Sequence, residues 1–432
     1  MGLGFGTDGI RGVALKELTP NRAFACGNAL AKWGKSLAVG KDTRLSGDCI
    51  KFALISGFLS GGGSVWDLGV TTTPCVSYIT ATRKLDFGVM ISASHNPPIY
   101  NGIKVFDKNG YKLDDQLEKL LEYEMEHTTF CQPESCGKYV NAKNSVHSYL
   151  RFLAKGMDLR GLNICLDLAN GSAYKIAPIV FRRAGAKVYT ISNKNDGGNI
   201  NVKCGATDIT TLKSYMQTGK FDLGIAFDGD ADRVIIVDSF GNVIDGDLIL
   251  FALAKDMLKN GKLINKRVVG TPNTNYGVIK ALEGLGIEYI NGDVGDKYVL
   301  EQMLKCGAIL GGEQSGHIIL LNGHTTGDGI YAGLRFASLV KDKDFLKDLI
   351  SLERFAQTTI NVKVADKGRV IGNSKLTAVI DYERDKLGNG GKIFVRPSGT
   401  EQVIRVLVET KDKAFSDKIA NRIKEVILQI EQ

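Results

Sequence analysis

The sequence predicts an α/β protein made of three related mixed α/β domains plus a smaller α+β domain at the C-terminus. Three observations carry that reading. Short apolar runs of strand length alternate with longer segments of helical pattern, as in α/β units with mostly parallel sheets. A strand–polar loop–helix device recurs in Val39-Gly40-Lys41-Asp42-Thr43-Arg44, Leu166-Asp167-Leu168-Ala169-Asn170-Gly171 and Val269-Gly270-Thr271-Pro272-Asn273-Thr274, a faint internal repeat. At 432 residues the chain exceeds one hydrophobic core, so roughly three or four domains are expected.

The elements follow in order. Thr19-Pro20 caps a helix reaching about Trp33, since proline is tolerated in a first turn. A short strand at 37–39 leads to a helix near Asp48, a strand over 64–70 and a helix opened by Thr73-Pro74. The apolar run 87–91 reads as a buried strand, stopped by small polar residues and Pro97-Pro98. A charged helix over 114–127 closes the first domain, residues 1–143, and the looser stretch 128–144 marks its boundary. The second domain, 144–245, has strands at 162–168, 187–191 and 223–227 and helices at 172–183 and 208–217. The third, 246–356, opens with a helix at Asp247 and continues with a strand over 267–270 and a helix over 276–285. From Thr358 the pattern changes to strand, helix, hairpin and a long amphipathic helix over 413–429, the last domain, 357–432.

Composition narrows the class. With 44% apolar and 24% charged residues the chain is of ordinary globular type. The net charge of +8 is spread without a Lys/Arg block or basic–aromatic pattern, which favours small anionic substrates over nucleic acid. Eight cysteines without a CxxC pair indicate neither zinc nor a disulfide framework. No run reaches the roughly 18 apolar residues of a membrane span. Asp8 and Arg11 stand where a signal peptide needs apolar residues, and Gly6 stands where myristoylation needs Ser or Thr. A reducing cytoplasm is the expected compartment.

Five stretches carry chemistry. In Ser92-Ala93-Ser94-His95-Asn96-Pro97-Pro98, Ser94 sits on a rigid turn at a strand end, a common place for a covalent intermediate, with Lys104 a short loop away. In Gly6-Thr7-Asp8-Gly9-Ile10-Arg11-Gly12, glycines around a guanidinium suit close approach to an anion. Asp228-Gly229-Asp230-Ala231-Asp232-Arg233 puts three carboxylates at alternate positions, able to converge on one hard cation that offsets their repulsion. It is no EF-hand loop, because Arg233 replaces the required glycine and Ser239 the terminal glutamate, so Mg²⁺ is favoured. Gly312-Glu313-Gln314-Ser315-Gly316-His317 offers a carboxylate, a hydroxyl and an imidazole suited to sugar hydroxyls. Arg396-Pro397-Ser398-Gly399-Thr400-Glu401, followed by Arg405, makes an oxyanion nest in a hairpin turn. Taken singly, each also reads as an ordinary turn or solvated charge cluster.

Together and in this order, the five stretches resemble the α-D-phosphohexomutase family over essentially the whole chain. Asp196-Gly197-Gly198-Asn199-Ile200-Asn201, Cys204-Gly205-Ala206-Thr207-Asp208 and Thr325-Thr326-Gly327-Asp328-Gly329 are most similar to the family's branch acting on hexosamine phosphates. The resemblance implies four domains around a central cleft. It implies Ser94 as the phosphoserine, with Asp228, Asp230 and Asp232 binding one Mg²⁺ beside it. Lys104 and His317 are then the proton-transfer groups, with His95, Arg11 and Arg233 supporting the phosphoryl site. Glu313, Ser315, Asp296 and Lys297 face the sugar, and Arg396, Ser398, Gly399, Thr400 and Arg405 hold the phosphate that does not react. A hexosamine or glucose 1,6-bisphosphate is the implied activator, and a homodimer is consistent with the family. Ser92 stands where threonine is usual, Lys297 where arginine is usual and Gln402 where proline is frequent. Only Lys297 touches function, since an ammonium cannot make a guanidinium's bidentate contact. A preference for glucose or mannose phosphate would leave every motif unchanged. A non-catalytic phosphosugar-binding protein would be favoured by loss of Ser94 or an aspartate, and all are present.

Overall fold

The strands collect into four sheets, in a computed structural model describing residues 4–6, 8–127, 130, 133–340, 343–399 and 401–431. The first three units carry sheets of seven, five and four strands, and the fourth carries three. Five strands lie where the apolar runs predict them: Ser64–Val70, Phe87–Ile91, Lys187–Ile191, Leu223–Phe227 and Arg267–Gly270.

The sheets of the first three units are mixed rather than mostly parallel, and the reason positions the chemistry. Phe87–Ile91 runs parallel to Ser36–Lys41, but the next strand, Tyr100–Phe106, returns antiparallel. Residues 92–99 are too few for the crossover that a parallel return requires. The second unit repeats the device: Leu223–Phe227 lies parallel to Asn163–Asp167, and Val234–Asp238 returns antiparallel. So does the third, where Leu310–Gly312 is followed by antiparallel Ile318–Leu320. In the fourth unit Gly391–Pro397 and Val403–Thr410 form an antiparallel hairpin. Each unit thus contributes one short hairpin loop, and these four loops are 92–99, 228–233, 313–317 and 398–402.

Helices are fixed by their caps and packing. Thr19, Thr72, Asp245 and Asp328 each accept a backbone N–H of the helix they precede. Helix Pro20–Trp33 crosses Gly47–Ser60 at close range, since a Cβ on Gly57 would lie 2.0 Å from the Phe24 carbonyl. One apolar core runs continuously through the first three units, with a second layer under the first sheet. The fourth unit has its own core. It is tied to the third by Glu409, which accepts the Tyr276 N–H (2.7 Å), and by Lys392, whose ammonium donates to the Thr274 carbonyl (2.5 Å). Among the described residues no helix is long and apolar enough to cross a membrane.

Candidate active site

Ser94 follows the buried strand Phe87–Ile91 in the left-handed backbone region, φ 51°, where side-chain-bearing residues are uncommon. Its hydroxyl donates to Asp228 Oδ2 (2.7 Å) and lies 3.4 Å from His95 Nδ1. Burial, with Arg233 and Arg11 nearby, pushes His95 down to about 3, so its imidazole is neutral.

The second unit's loop brings Asp228, Asp230 and Asp232 together, with one oxygen of each within 4.8 Å of the others, all buried. Among the described residues, Asp230 Oδ1 and Asp232 Oδ1 have no hydrogen-bond partner. Burial and the two neighbouring carboxylates hold Asp228 well above the usual carboxylate range. Unsatisfied oxygens and a frustrated carboxylate in one cluster are what a hard cation relieves, so the residues fit a metal site.

Lys104, a short loop away from Ser94, is on the strand Tyr100–Phe106, opposite Met90. Its ammonium lies 2.7 Å from Asp230, and 3.0 Å from both Asp232 and Asp8. Burial favours a neutral amine, but these carboxylates hold Lys104 well above the ordinary lysine range. Arg11 donates to Asn96 Oδ1 (2.9 Å) and pairs with Asp8. The N–H of Arg233 donates to Asp228 Oδ1 (3.2 Å).

His317 is buried, with Nδ1 3.9 Å from Asp232 and Nε2 3.4 Å from Asp296. Burial works against its protonation, and the Asp296 and Asp232 carboxylates outweigh it, so its pKa is raised. Asp296 also pairs with Lys112, which pairs in turn with Asp8. A ring of charge, buried at Lys104, Asp232 and His317 and half-buried at Asp8, Lys112 and Asp296, therefore runs Asp232–His317–Asp296–Lys112–Asp8–Lys104 across the first three units.

Glu313, Ser315, Arg396 and Arg405 line one cavity of about 390 Å³. Arg396, Ser398, Gly399 and Arg405 line a neighbouring one of about 630 Å³, which Asp115 and Glu118 of the first unit also line. The two arginines are cross-strand partners at the end of the fourth unit's hairpin, and Arg405 also pairs with Glu401. Thr400 lies outside the described residues. Lys297 is not brought to these cavities. Its ammonium is buried against Asp115 (2.6 Å) and Glu118 (2.7 Å), joining the third unit to the first.

Sequence reading assigned no role to Asp8, Lys112, Thr73, Arg44 or Asn201. Thr73 donates to Asp230 Oδ2 (2.5 Å), and Arg44 and Asn201 both hold the Ser94 loop. Asp8, Arg44 and Asn201 belong to stretches already singled out, which is the one signal that could have found them; Lys112 has no local signal. The run 324–329 is behind the site. Gly327 packs on the His317 ring, the Gly329 N–H donates to the Ala231 carbonyl (3.1 Å), and Tyr149 donates to Asp328 (2.7 Å).

Four domain families match along the chain: the phosphoglucomutase/phosphomannomutase alpha/beta/alpha domains I, II and III over residues 2–132, 139–241 and 245–355, and the C-terminal domain over 360–426. The chain belongs to the phosphoglucomutase/phosphomannomutase family. It is an enzyme of phosphoryl transfer within the isomerase class. Among its relatives are the phosphoglucosamine mutases of Clostridium novyi, 43% identical over 99% of both chains, and of Pelotomaculum thermopropionicum, 43% identical over 100% of both. A phosphoglucomutase/phosphomannomutase family protein from Burkholderia thailandensis has the same fold, with a TM-score of 0.86 at 22% identity over 98% of this chain and 97% of that one. The Aspergillus fumigatus N-acetylphosphoglucosamine mutase, solved with GlcNAc-6P and magnesium, gives 0.72 at 17% identity over 100% and 96%.

Proposed function

We propose that this phosphohexomutase interconverts glucosamine 6-phosphate and glucosamine 1-phosphate through a phosphoserine at Ser94 and a bisphosphate intermediate. The observation that carries the reading is the Ser94 hydroxyl, held 2.7 Å from Asp228 at the edge of a buried three-carboxylate cluster. Asp228, Asp230 and Asp232, with the Ser94 phosphate, would hold one Mg²⁺. Bound there, the ion draws negative charge from phosphoryl oxygens.

In the first transfer a sugar hydroxyl oxygen bonds to phosphorus as the Ser94 Oγ–P bond breaks, and the hydroxyl proton passes to a side chain. Lys104 and His317 are the proton-transfer groups. Neutralising the carboxylates removes the attraction that keeps Lys104 protonated, so its amine becomes able to accept. The Arg11 and Arg233 guanidiniums spread the charge of the moving phosphoryl group, and neutral His95 sits beside it. Glu313 and Ser315 orient the sugar, with Asp296 acting through His317. Lys297 acts from behind, through Asp115 and Glu118. Arg396, Ser398, Gly399, Thr400 and Arg405 hold the other phosphate. The bisphosphate then reorients and returns its second phosphate to Ser94, and a hexosamine or glucose 1,6-bisphosphate primes the dephosphorylated enzyme. On this reading the domains divide at 143, 245 and 356, one function to each loop. A cytoplasmic location is in keeping with the free cysteines.

Arg405→Ala removes one charge-assisted contact to the distal phosphate, a loss on the order of 2 kcal/mol in kcat/KM. Most of it should appear in KM, with some in kcat because remote binding energy orients the reacting end. Kinetics identical to the parent would take the fourth unit out of the site.

The amino-sugar preference is supported by the relatives' names and rests physically on carbon 2, where an ammonium replaces a hydroxyl. Glu313, in the smaller cavity, is the carboxylate nearest to hand. Such a contact gives roughly tenfold to a hundredfold in specificity. The test is kcat/KM for glucosamine 6-phosphate against glucose and mannose 6-phosphates under identical Mg²⁺ and bisphosphate. A ratio favouring either hexose would keep the mutase chemistry and remove the amino-sugar assignment.

A further inference from the structure

We infer that Arg44 and Asn201 are positioning residues that clamp the Ser94 loop from two different units by gripping the same carbonyl groups. Arg44 is fully buried in the first unit. Its Nη2 donates to the Ser94 carbonyl (3.0 Å) and the Asn96 carbonyl (2.7 Å), and Nη1 to those of Pro97 (2.6 Å) and Tyr100 (2.9 Å). Its Nε donates to Asp42 Oδ2 (2.9 Å), an oxygen that also accepts the Ser92 hydroxyl (2.6 Å). The Ser94 N–H donates to that same Ser92 oxygen (2.9 Å). From the second unit, Asn201 Nδ2 donates to the carbonyls of Ser94 (2.8 Å) and Asn96 (3.1 Å). Neither side chain lines the two cavities of the cleft.

The docking around this contact is tight. A Cβ on Gly197 would lie 2.3 Å from the Thr43 carbonyl, and the Thr43 hydroxyl donates to the Asn170 carbonyl (2.7 Å). The run Asp196–Asn201 therefore braces the Asp42–Arg44 loop, which braces the serine. Ser94 needs this support because its left-handed backbone is disfavoured for a residue with a side chain. The clamp holds the Ser94 hydroxyl within reach of Asp228, so it sets the geometry between the serine of the first unit and the carboxylates of the second. A guanidinium is suited to the role, because its planar fork meets several carbonyls at once and stays charged when buried.

The inference rests on the phosphoserine reading, so the wild-type enzyme runs in parallel. Two variants test it: Asn201→Gly, which removes the donor and tolerates φ 61°, and Arg44→Lys, which keeps the charge and loses the fork. Steady-state kinetics are measured with glucosamine 6-phosphate. Intact mass follows the rate at which dephosphorylated enzyme takes phosphate from glucose 1,6-bisphosphate. The expected result is a loss in kcat and in phosphorylation rate of about tenfold for Asn201→Gly and about a hundredfold for Arg44→Lys, with KM within twofold of wild type. The Tm of Asn201→Gly stays near the parent's, so that variant decides the matter if Arg44→Lys does not fold. Unchanged kcat in Asn201→Gly overturns the clamp, as does a loss that falls in KM or follows a collapse in Tm. Wild-type enzyme that takes no phosphate on Ser94 overturns the phosphoserine reading itself, and the clamp with it.

Discussion

Ser94→Ala is expected to lose mutase turnover by about 10⁴-fold or more, because Ser94 is the loop hydroxyl that faces the Asp228 cluster, whereas the buried Ser92 hydroxyl is turned away to Asp42. The fold should survive. The hydroxyl's short bond is to Asp228, a carboxylate already held well above its ordinary range by burial and its neighbours, its other contact is His95 Nδ1 at 3.4 Å, and the loop's carbonyls remain gripped by Arg44 and Asn201. Intact mass supplies a second readout. Native wild-type protein should contain a species one phosphate heavier, and the variant should contain none. Near-parental turnover in Ser94→Ala would rule out relay through this serine.

The next largest effect is expected for Asp230→Ala, with Mg²⁺-dependent turnover falling by about 10²–10³-fold, since two carboxylates hold a small hard cation poorly. Asp230 also accepts from Lys104 (2.7 Å) and Thr73 (2.5 Å), so its removal leaves the ammonium to Asp232 and Asp8. Asp230→Asn keeps the side-chain volume and an acceptor, and separates loss of the cation from loss of packing. Mg²⁺ titration by calorimetry and by activity should show weakened binding in both variants. Normal turnover with a normal Mg²⁺ requirement would reduce the loop to an acidic turn.

Much of both predictions was legible in the chain. The strands before the Ser94 and Asp228 loops are continuous apolar runs, because strands buried on both faces need no alternation. The strands Phe87–Ile91 and Leu223–Phe227 were therefore placed to the residue. The Asp228–Asp232 spacing is local chemistry as well, since three carboxylates on one tight loop meet whatever the rest of the chain does. The strand Tyr100–Phe106 was not foreseen. Lys104 read only as lying a short loop from Ser94, and pairing against Phe87–Ile91 is what makes Tyr100–Phe106 a strand.

The sequence by itself determined the four units, the strand ends that carry the loops, and the residue types on those loops, all properties of neighbouring positions. Tertiary structure alone decided which charges meet: Lys104 with Asp230 and Asp232, Lys112 with Asp8 and Asp296, Lys297 with Asp115 and Glu118, and Arg44 with the backbone of 94–100. Most of these partners are 50 or more positions apart, and several of the links span more than a hundred. Periodicity records how one element is buried, whereas a buried ion pair exists only once separate elements have packed and excluded water around it.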